Sequence, residues 1–386
     1  MMRQIRIGTL SVVLALVALC SCERRPDLHL YDGGNMEIEF PFVLLELDAY
    51  WNYELSYGIT YDWNAEWYYG WDETDKQLFG EIGYVEPTVF NIRRYFTEQI
   101  AFGPHKSVLS NTITGTTFQG KYDWGFWDIL VWNDIHTLDG VQSLNFDEGS
   151  TLDHVTAFTN ETMRSTRYQA PKYSNSFYQP EPLFSAYKQA IEISPSLDGF
   201  VYNEERNMWV KRLDMILLPV TYIYLTQVIL HHNNNKIVGC DGNANFSGMA
   251  RSVDLNTGIA GPDAITISYN VRFKKDCLKN IENVDIVGGR FMTFGLCNYN
   301  GNLIKSADEI KDDVKHYMDV TMQFNNGLDS TFVFDITKQV RNRYKGGVIT
   351  VELDMDTIAL PSRSGGSAFD AVVQDYEDGG THEFDM

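Results

Sequence analysis

A chain of 386 residues that is 44% hydrophobic and 13% aromatic has ample material for more than one core. Its 52 acidic residues against 31 basic ones leave a formal net charge of −21. Such a surface repels phosphate backbones and disfavours nucleic acid as a partner, and runs such as Asp308-Glu309 and Asp312-Asp313 read as solvated faces.

In chain order, the first feature is a basic start with Arg3 and Arg6, then an apolar run from Leu10 to Ala18, then Leu19-Cys20-Ser21-Cys22. This pattern predicts a lipoprotein signal peptide over residues 1–21 and lipid attachment at Cys22. The run is shorter than the roughly 20 apolar residues a spanning helix needs, so the chain is expected to be anchored rather than spanning. The alternative is an uncleaved anchor with a thiol at Cys22. About 365 residues follow, a length that suggests two domains.

Residues 22–35 are polar, with Pro26 and Gly33-Gly34, and read as a tether. Strand patterns begin at once. Met36, Ile38 and Phe40 alternate with acidic residues, and Leu47, Ala49, Trp51, Tyr53, Leu55 and Tyr57 alternate with polar ones. Period two predicts strands with one buried and one wet face. Phe126 to Trp132 is apolar at nearly every position, as a central strand covered on both faces would be. Leu144 to Phe146 and Val155 to Thr159 read as shorter strands, and Ser185 to Ile193 as a short helix. Met208 to Leu218 alternates up to Pro219, near which the chain divides into a first unit, residues 36–215, and a second, 216–361.

In the second unit, Val220 to Leu230 predicts a long strand that breaks at His231-His232-Asn233-Asn234-Asn235. Further alternations centre on Ile265 to Phe273, Val320 to Phe324, Phe332 to Ile336 and Ile349 to Met355. Ser306 followed by Glu309 resembles a capping box and predicts a helix over Ala307 to Tyr317. Many short strands with few helices describe an all-β protein of antiparallel β-sandwiches. Three cysteines remain beyond the signal: Cys240, Cys277 and Cys297. They could form one disulfide with one thiol left over, or stay as three buried thiols, and the sequence does not choose.

Four pieces of the C-terminal half, roughly residues 216–386, resemble in this order a family of Bacteroidales surface lipoproteins with fimbrillin-like architecture. They are Phe246 to Ala250, Phe291 to Gly295, Phe334 to Val340, and Phe369 to Asp378. In the first unit the resemblance rests on Tyr122 to Asn133. It implies two tandem transthyretin-like β-sandwiches and a non-enzymatic, lipid-anchored outer-membrane protein exposed at the cell surface. It further implies an anchor or accessory subunit of a pilus-type adhesive structure, with pilin-like partners joined by β-strand complementation. No cofactor or metal comes with it.

The tail, residues 362–386, follows a flexible Arg363 to Ser367 stretch. Phe369, Ala371 and Val373 are its candidate donor strand; the preferred reading is that the tail folds back as the last strand of its own domain, and a trailing acidic end is the other alternative. Shaft subunits of this kind are cut after a basic residue. Arg24-Arg25 lies too close to Cys22 to expose a groove, and Arg93-Arg94 reads as a surface pair, which favours a subunit that keeps its lipid.

No nucleophile elbow, Walker loop or His-Glu-x-x-His motif occurs, and His231-His232 on a strand would point to opposite faces. The remaining candidate is aromatic. Trp51, Tyr53 and Tyr57 fit a buried strand face, whereas Trp63, Trp67, Tyr68, Tyr69 and Trp71 lack a period. They are either core or an exposed surface for a glycan or partner, the basis of an alternative reading as a glycan-binding surface lipoprotein.

Overall fold

The computed structural model describes residues 43–51, 66–135, 143–148, 154–162, 176–205, 207–275, 283–311, 313–362 and 371–373, the first and last of these stretches by backbone alone. The protein is all-β. Its first sheet contains β1 (Val43–Trp51), β2 (Val89–Glu98), β3 (Ser107–Thr114), β4 (Thr117–Lys121) and β5 (Gly125–Asn133). Downstream of the short strands β6 (Leu144–Asp147), β7 (Thr156–Thr159) and β8 (Ser176–Phe177), it gains β9 (Phe184–Ile193), β10 (Val201–Asn203) and β11 (Met208–Pro219).

The order is β3-β2-β5-β9-β11-β1-β4, with β10 beside β11. Only residues 115–116 separate β3 from β4, so the two ends of this path come together and the sheet folds over on itself. Between its halves, Leu213, Met215 and Leu217 of β11 pack with Trp127, Ile129 and Val131 of β5. The alternation of β11 is clean, with Arg212, Asp214 and Ile216 outward.

The second sheet is built from β12 (Tyr222–His231), β13 (Ile237–Ala250), β15 (Ala264–Lys274), β16 (Asp285–Thr293), β17 (Tyr317–Phe324), β18 (Asp329–Asp335), β19 (Gly347–Asp354) and β20 (Ala371–Val373). Its order is β19-β12-β16-β15-β13-β17-β18-β20, with β8 alongside β15. β15 belongs to both halves, pairing with β13 early and with β16 over Val271 to Lys274. Tyr224, Phe246, Phe291, Phe332 and Phe334 lie in the core between them. β14 (Ser252–Asp254) leaves this sheet to form a third, three-stranded one with β7 and β6. Strands from the two halves of the sequence therefore interleave, through β8 with β15 and through β7 with β14.

β5 and β12 are buried along nearly their whole length, as continuous apolar runs require. The outer face of β5, Leu130 and Trp132, packs under the third sheet with Leu144, Val155 and Val253. The outer face of β12, Ile223, Leu225 and Ile229, packs against Trp67 and Tyr69.

Several expectations are corrected. Ser185 to Ile193 is not a helix but most of β9, because Phe184, Ile191 and Ile193 join the first core while the backbone pairs antiparallel with β5. Ala307 to Tyr317 yields only a single 3₁₀ turn at Ala307–Glu309: Ser306 makes no side-chain cap, and Ile310 turns extended to bury its side chain. Two short helices went unread, α1 (Glu73–Phe79) and α2 (Thr337–Asn342). Arg93 and Arg94 are not a surface pair. Both are buried on β2, Arg94 donating to Lys121 O and Asn111 and lying over the rings of Phe118 and Tyr122. The polar faces of β15, β17 and β18 are not wet either: Thr266, Ser268, Thr321 and Thr331 are buried in cross-strand pairs such as Ser247 with Thr266 and Thr321 with Thr331, each 2.9 Å. At the bulge in β13, Gly248 takes φ +94, and a Cβ there would meet Lys315 O at 2.4 Å.

The strands from Met36 to Phe40 and beyond Trp51 lie outside the described residues. Among the described residues no helix is long and apolar enough to cross a membrane.

Asp319 on β17 is buried opposite Asn245, whose amide donates to it at 2.9 Å. Burial pushes its carboxyl up to about 7, with the Asn245 bond pulling the other way. A carboxyl raised in the folded state binds more protons there than in the unfolded chain. Stability is therefore lost as pH rises from about 4 to about 7, and the loss is complete above that. Asp319→Asn keeps the hydrogen bond and removes the charge. Urea unfolding should find the variant more stable than wild type at pH 8 and the advantage gone at pH 4.

Candidate functional site

The aromatic segment divides by its surroundings. Trp67 and Tyr69 are buried, Trp71 is half-buried, Tyr68 is 49% exposed, and Trp63 lies outside the described residues. Gln227, fully buried in the middle of β12, holds this segment. Its Oε1 accepts from the backbone N–H groups of Tyr68 and Tyr69, and its Nε2 donates to Glu66 O and to Thr350 Oγ1. The Tyr69 ring lies flat on Gly288, where a Cβ would sit 2.5 Å from it, and Lys274 Nζ is 3.9 Å from the ring centre.

The Tyr69 hydroxyl donates to Asp75 Oδ1 at 2.7 Å. Asp75 is fully buried at the start of α1, where it forms a capping box with Asp72. It also accepts from Arg272 at 2.9 Å and from Lys274. Burial, then the Asp75 bond, push the Tyr69 phenol far above its ordinary range. The geometry is that of a clasp that closes the outer face of β12.

β20 (Ala371–Val373) adds parallel to β18, with Phe332 opposite Ala371 and Phe334 opposite Val373. The chain's own tail therefore pairs at the end of the second sheet; Phe369 and the Arg363 to Ser367 stretch lie outside the described residues, as does Cys22. Cys240 packs against the second core and Cys297 in the cluster beneath the third sheet, while Cys277 is not described. His231 and His232 do separate. His231 Nε2 lies 3.0 Å from Glu352, and His232 Nδ1 lies 3.0 Å from Asp354 and 3.9 Å from Asp356. His232, Asp354 and Asp356 are all exposed, with ligand atoms within 4.8 Å of one another. The Asp354 hydrogen bond, then its charge, raise the His232 imidazolium above the usual histidine range.

The most organised polar centre was not singled out by sequence. Asp128 interrupts the apolar run of β5, and its side chain is buried. A bulge lies opposite it: Trp127 pairs with Ile191 but Ile129 with Lys188, and Ala190 takes φ 54. The bulge turns the Ala190 N–H onto Asp128 Oδ1 at 2.7 Å, while Oδ2 accepts from the Tyr187 hydroxyl at 3.0 Å and from His105 Nε2 at 2.9 Å. The His105 ring stacks on Tyr95, with centroids 4.6 Å apart. Burial, then the Asp128 charge, raise the Tyr187 phenol well above its ordinary range.

This group forms the floor of a cavity of about 410 Å³ whose rim carries Phe102, His154, Gln189 and Thr257, with the buried Asn256 in its wall. A second cavity of about 350 Å³ shares Tyr187, Asn256 and Thr257 with it and continues past Lys188, Asp214 and Asn300. The available signal was an aspartate inside a strand otherwise apolar on both faces, a polar group that burial tolerates only with partners.

No family model and no curated protein sequence matches this chain. Solved structures do. A proposed adhesin from Bacteroides ovatus aligns over 82% of this chain and 93% of its own, at 13% identity and a TM-score of 0.47. A proposed adhesin from Bacteroides thetaiotaomicron covers 82% and 94%, at 8% identity and 0.45. The fimbrial anchor protein Mfa2 of Porphyromonas gingivalis covers 81% and 90%, at 11% identity and 0.38. The structural neighbours include adhesin-type and fimbrial proteins of the Bacteroidales.

Asp75→Ala would remove the buried acceptor of the Tyr69 hydroxyl and leave Arg272 and Lys274 with Asp72 as their remaining carboxylate partner. Leaving a buried hydrogen-bonding group without its partner costs about 1–3 kcal/mol. Denaturant unfolding should show a loss of that order, accompanied by a red shift of tryptophan emission as Trp67 and Trp71 gain solvent. A change below about 1 kcal/mol would contradict the clasp.

Proposed function

We propose that this chain is a lipid-anchored surface protein, held in the outer membrane through Cys22. In this reading it is a non-enzymatic, fimbrillin-like anchor or accessory subunit of an adhesive, pilus-type structure. It comprises two transthyretin-like sandwiches, residues 36–215 and 216–361, and associates with pilin-like subunits by β-strand complementation. The lipoprotein signal and the four family-like pieces support the address and the kinship.

The observation that carries the mechanism is β20. β18 is seven residues long and is fully paired to β17 on one side. On the other side, among the described residues, β20 pairs with Phe332 to Phe334. A sheet edge presents unpaired N–H and C=O groups, and a strand from another chain satisfies them as well as an internal one. A three-residue strand at the end of a Gly- and Ser-containing stretch is a weakly held occupant of such an edge. Exchange of tails between copies or partners would join subunits head to tail.

Removing residues 363–386 should open the β18 edge. A peptide of residues 368–376 should then bind the truncated chain and not the intact one, as read by fluorescence anisotropy. In cells, the truncation should change the crosslinking of the protein to pilin-like subunits. If the truncated chain ignores the peptide and its crosslinks are unchanged, strand complementation through this edge is wrong.

A further inference from the structure

We propose that the groove formed by the two cavities around Asn256-Thr257 is a binding site for a neutral oligosaccharide. The proposal does not depend on strand exchange at β18 and would stand without it.

The groove lies where three elements meet: the bulged strand β9, the loop between β2 and β3 that carries Phe102 and His105, and the loop after β14 that carries Asn256 and Thr257. Its two parts, about 410 and 350 Å³, each fall within the usual range of ligand sites, roughly 300–1,000 Å³. Because they share Tyr187, Asn256 and Thr257, they present one elongated surface, suited to a chain of rings rather than a single compact molecule.

The lining selects the chemistry. A sugar hydroxyl both donates and accepts, so it is matched by amides, hydroxyls and imidazoles rather than by a block of one charge. The groove offers the exposed Gln189 amide and the His154 ring, together with the acceptor capacity left on the Tyr187 and Thr257 hydroxyls, whose protons go to Asp128 and Asp254. Both signs of charge are interspersed along it: His105 lies 2.9 Å from Asp128, His154 Nδ1 lies 2.8 Å from Asp254, and Lys188 and Asp214 line the further part. Phe102, 73% exposed at the rim, supplies an apolar face of the kind that packs on the C–H side of a pyranose ring. An anionic polymer is disfavoured by the formal charge of −21.

The site is also pre-ordered. Asp128 fixes the Tyr187 hydroxyl and the His105 ring, the Asn256 Oδ1 accepts from Val155 N–H at 3.0 Å, and Asp254 Oδ1 accepts from both the N–H and the hydroxyl of Thr257. Polar groups held in place by their neighbours lose little freedom on binding, which favours recognition of a flexible ligand.

The test is isothermal titration of the full chain with maltohexaose, cellohexaose, xylohexaose, mannohexaose and chitohexaose. At least one should bind with a Kd below about 1 mM. Phe102→Ala and Gln189→Ala alter exposed side chains and should each weaken that binding by at least about tenfold with the melting temperature unchanged. Tyr68→Ala, on the remote aromatic segment, should leave it unchanged. So should removal of residues 363–386, which separates this result from any failure of strand exchange. The proposal is overturned if no sugar of the panel binds, if binding survives both groove substitutions, or if Tyr68→Ala abolishes it.

Discussion

The constraint on which this architecture depends is that central strands such as β5 and β12 are apolar on both faces. A sandwich of two layers covers one face of each strand and leaves the other to water. β5 and β12 cannot be left so, because Leu130 and Trp132 on one, and Ile223, Leu225 and Ile229 on the other, would remain exposed. Each therefore recruits a third layer. For β5 it is the three-stranded sheet of β6, β7 and β14; for β12 it is the segment from Trp67 through α1. The interleaving of the two halves of the sequence follows from this, since β14 comes from the second half and the Trp67 segment from the first.

Third layers made of short or irregular pieces carry backbone groups that no sheet satisfies, and the structure answers with buried side chains. Gln227 bonds the backbone of Glu66, Tyr68 and Tyr69. At the junction of the two main sheets, Asn133 at the end of β5 accepts from Phe184 N–H and donates to Pro182 O, and the Thr221 hydroxyl accepts from Leu183 N–H. These bonds fix the chain where β11 hands over to β12. They also explain why the strand signal persists through Pro219 with so little loop between the sheets: the turn is held by side chains from other elements rather than by its own length.

The same features decide how much was legible in the sequence. Strand position was readable wherever residues alternated, as in β11, β15 and β19, because alternation follows from the pleat alone. Which faces are wet was less readable. Short Thr and Ser side chains on the middle strands are hidden by their cross-strand partners, so polar identity did not mean exposure at Thr266, Thr321 or Thr331. β9 resembled a helix because Lys188 and Gln189 sit at a bulge, which shifts the alternation by one residue midway along the strand. The 307–317 stretch carried a local cap signal that Ile310 overrode by turning into the core. Of the aromatic cluster, Trp67 and Tyr69 resist a periodic reading because they lie in an irregular segment whose burial is set by Gly288 and Gln227, more than 150 residues away in sequence. The groove was invisible for a related reason. Its residues come from the β2–β3 loop, β5, β9 and the loop after β14, and nothing local links them.

Within the groove, the disposition of Asp128 bears on what kind of site it is. A carboxylate paired with an imidazole suggests acid–base chemistry at first sight. Here both oxygens are already committed, one to the Ala190 N–H and the other to His105 and Tyr187 together. A group whose acceptor positions are filled from within the protein acts chiefly by holding its donors in place. The side chains left to face a ligand are then those at the rim, Phe102, His154 and Gln189, whose exposure is what a recognition surface requires. The bulge in β9 serves both ends at once. It releases the Ala190 N–H from the ladder to close the buried network, and the same extra residue carries Gln189 out to the rim.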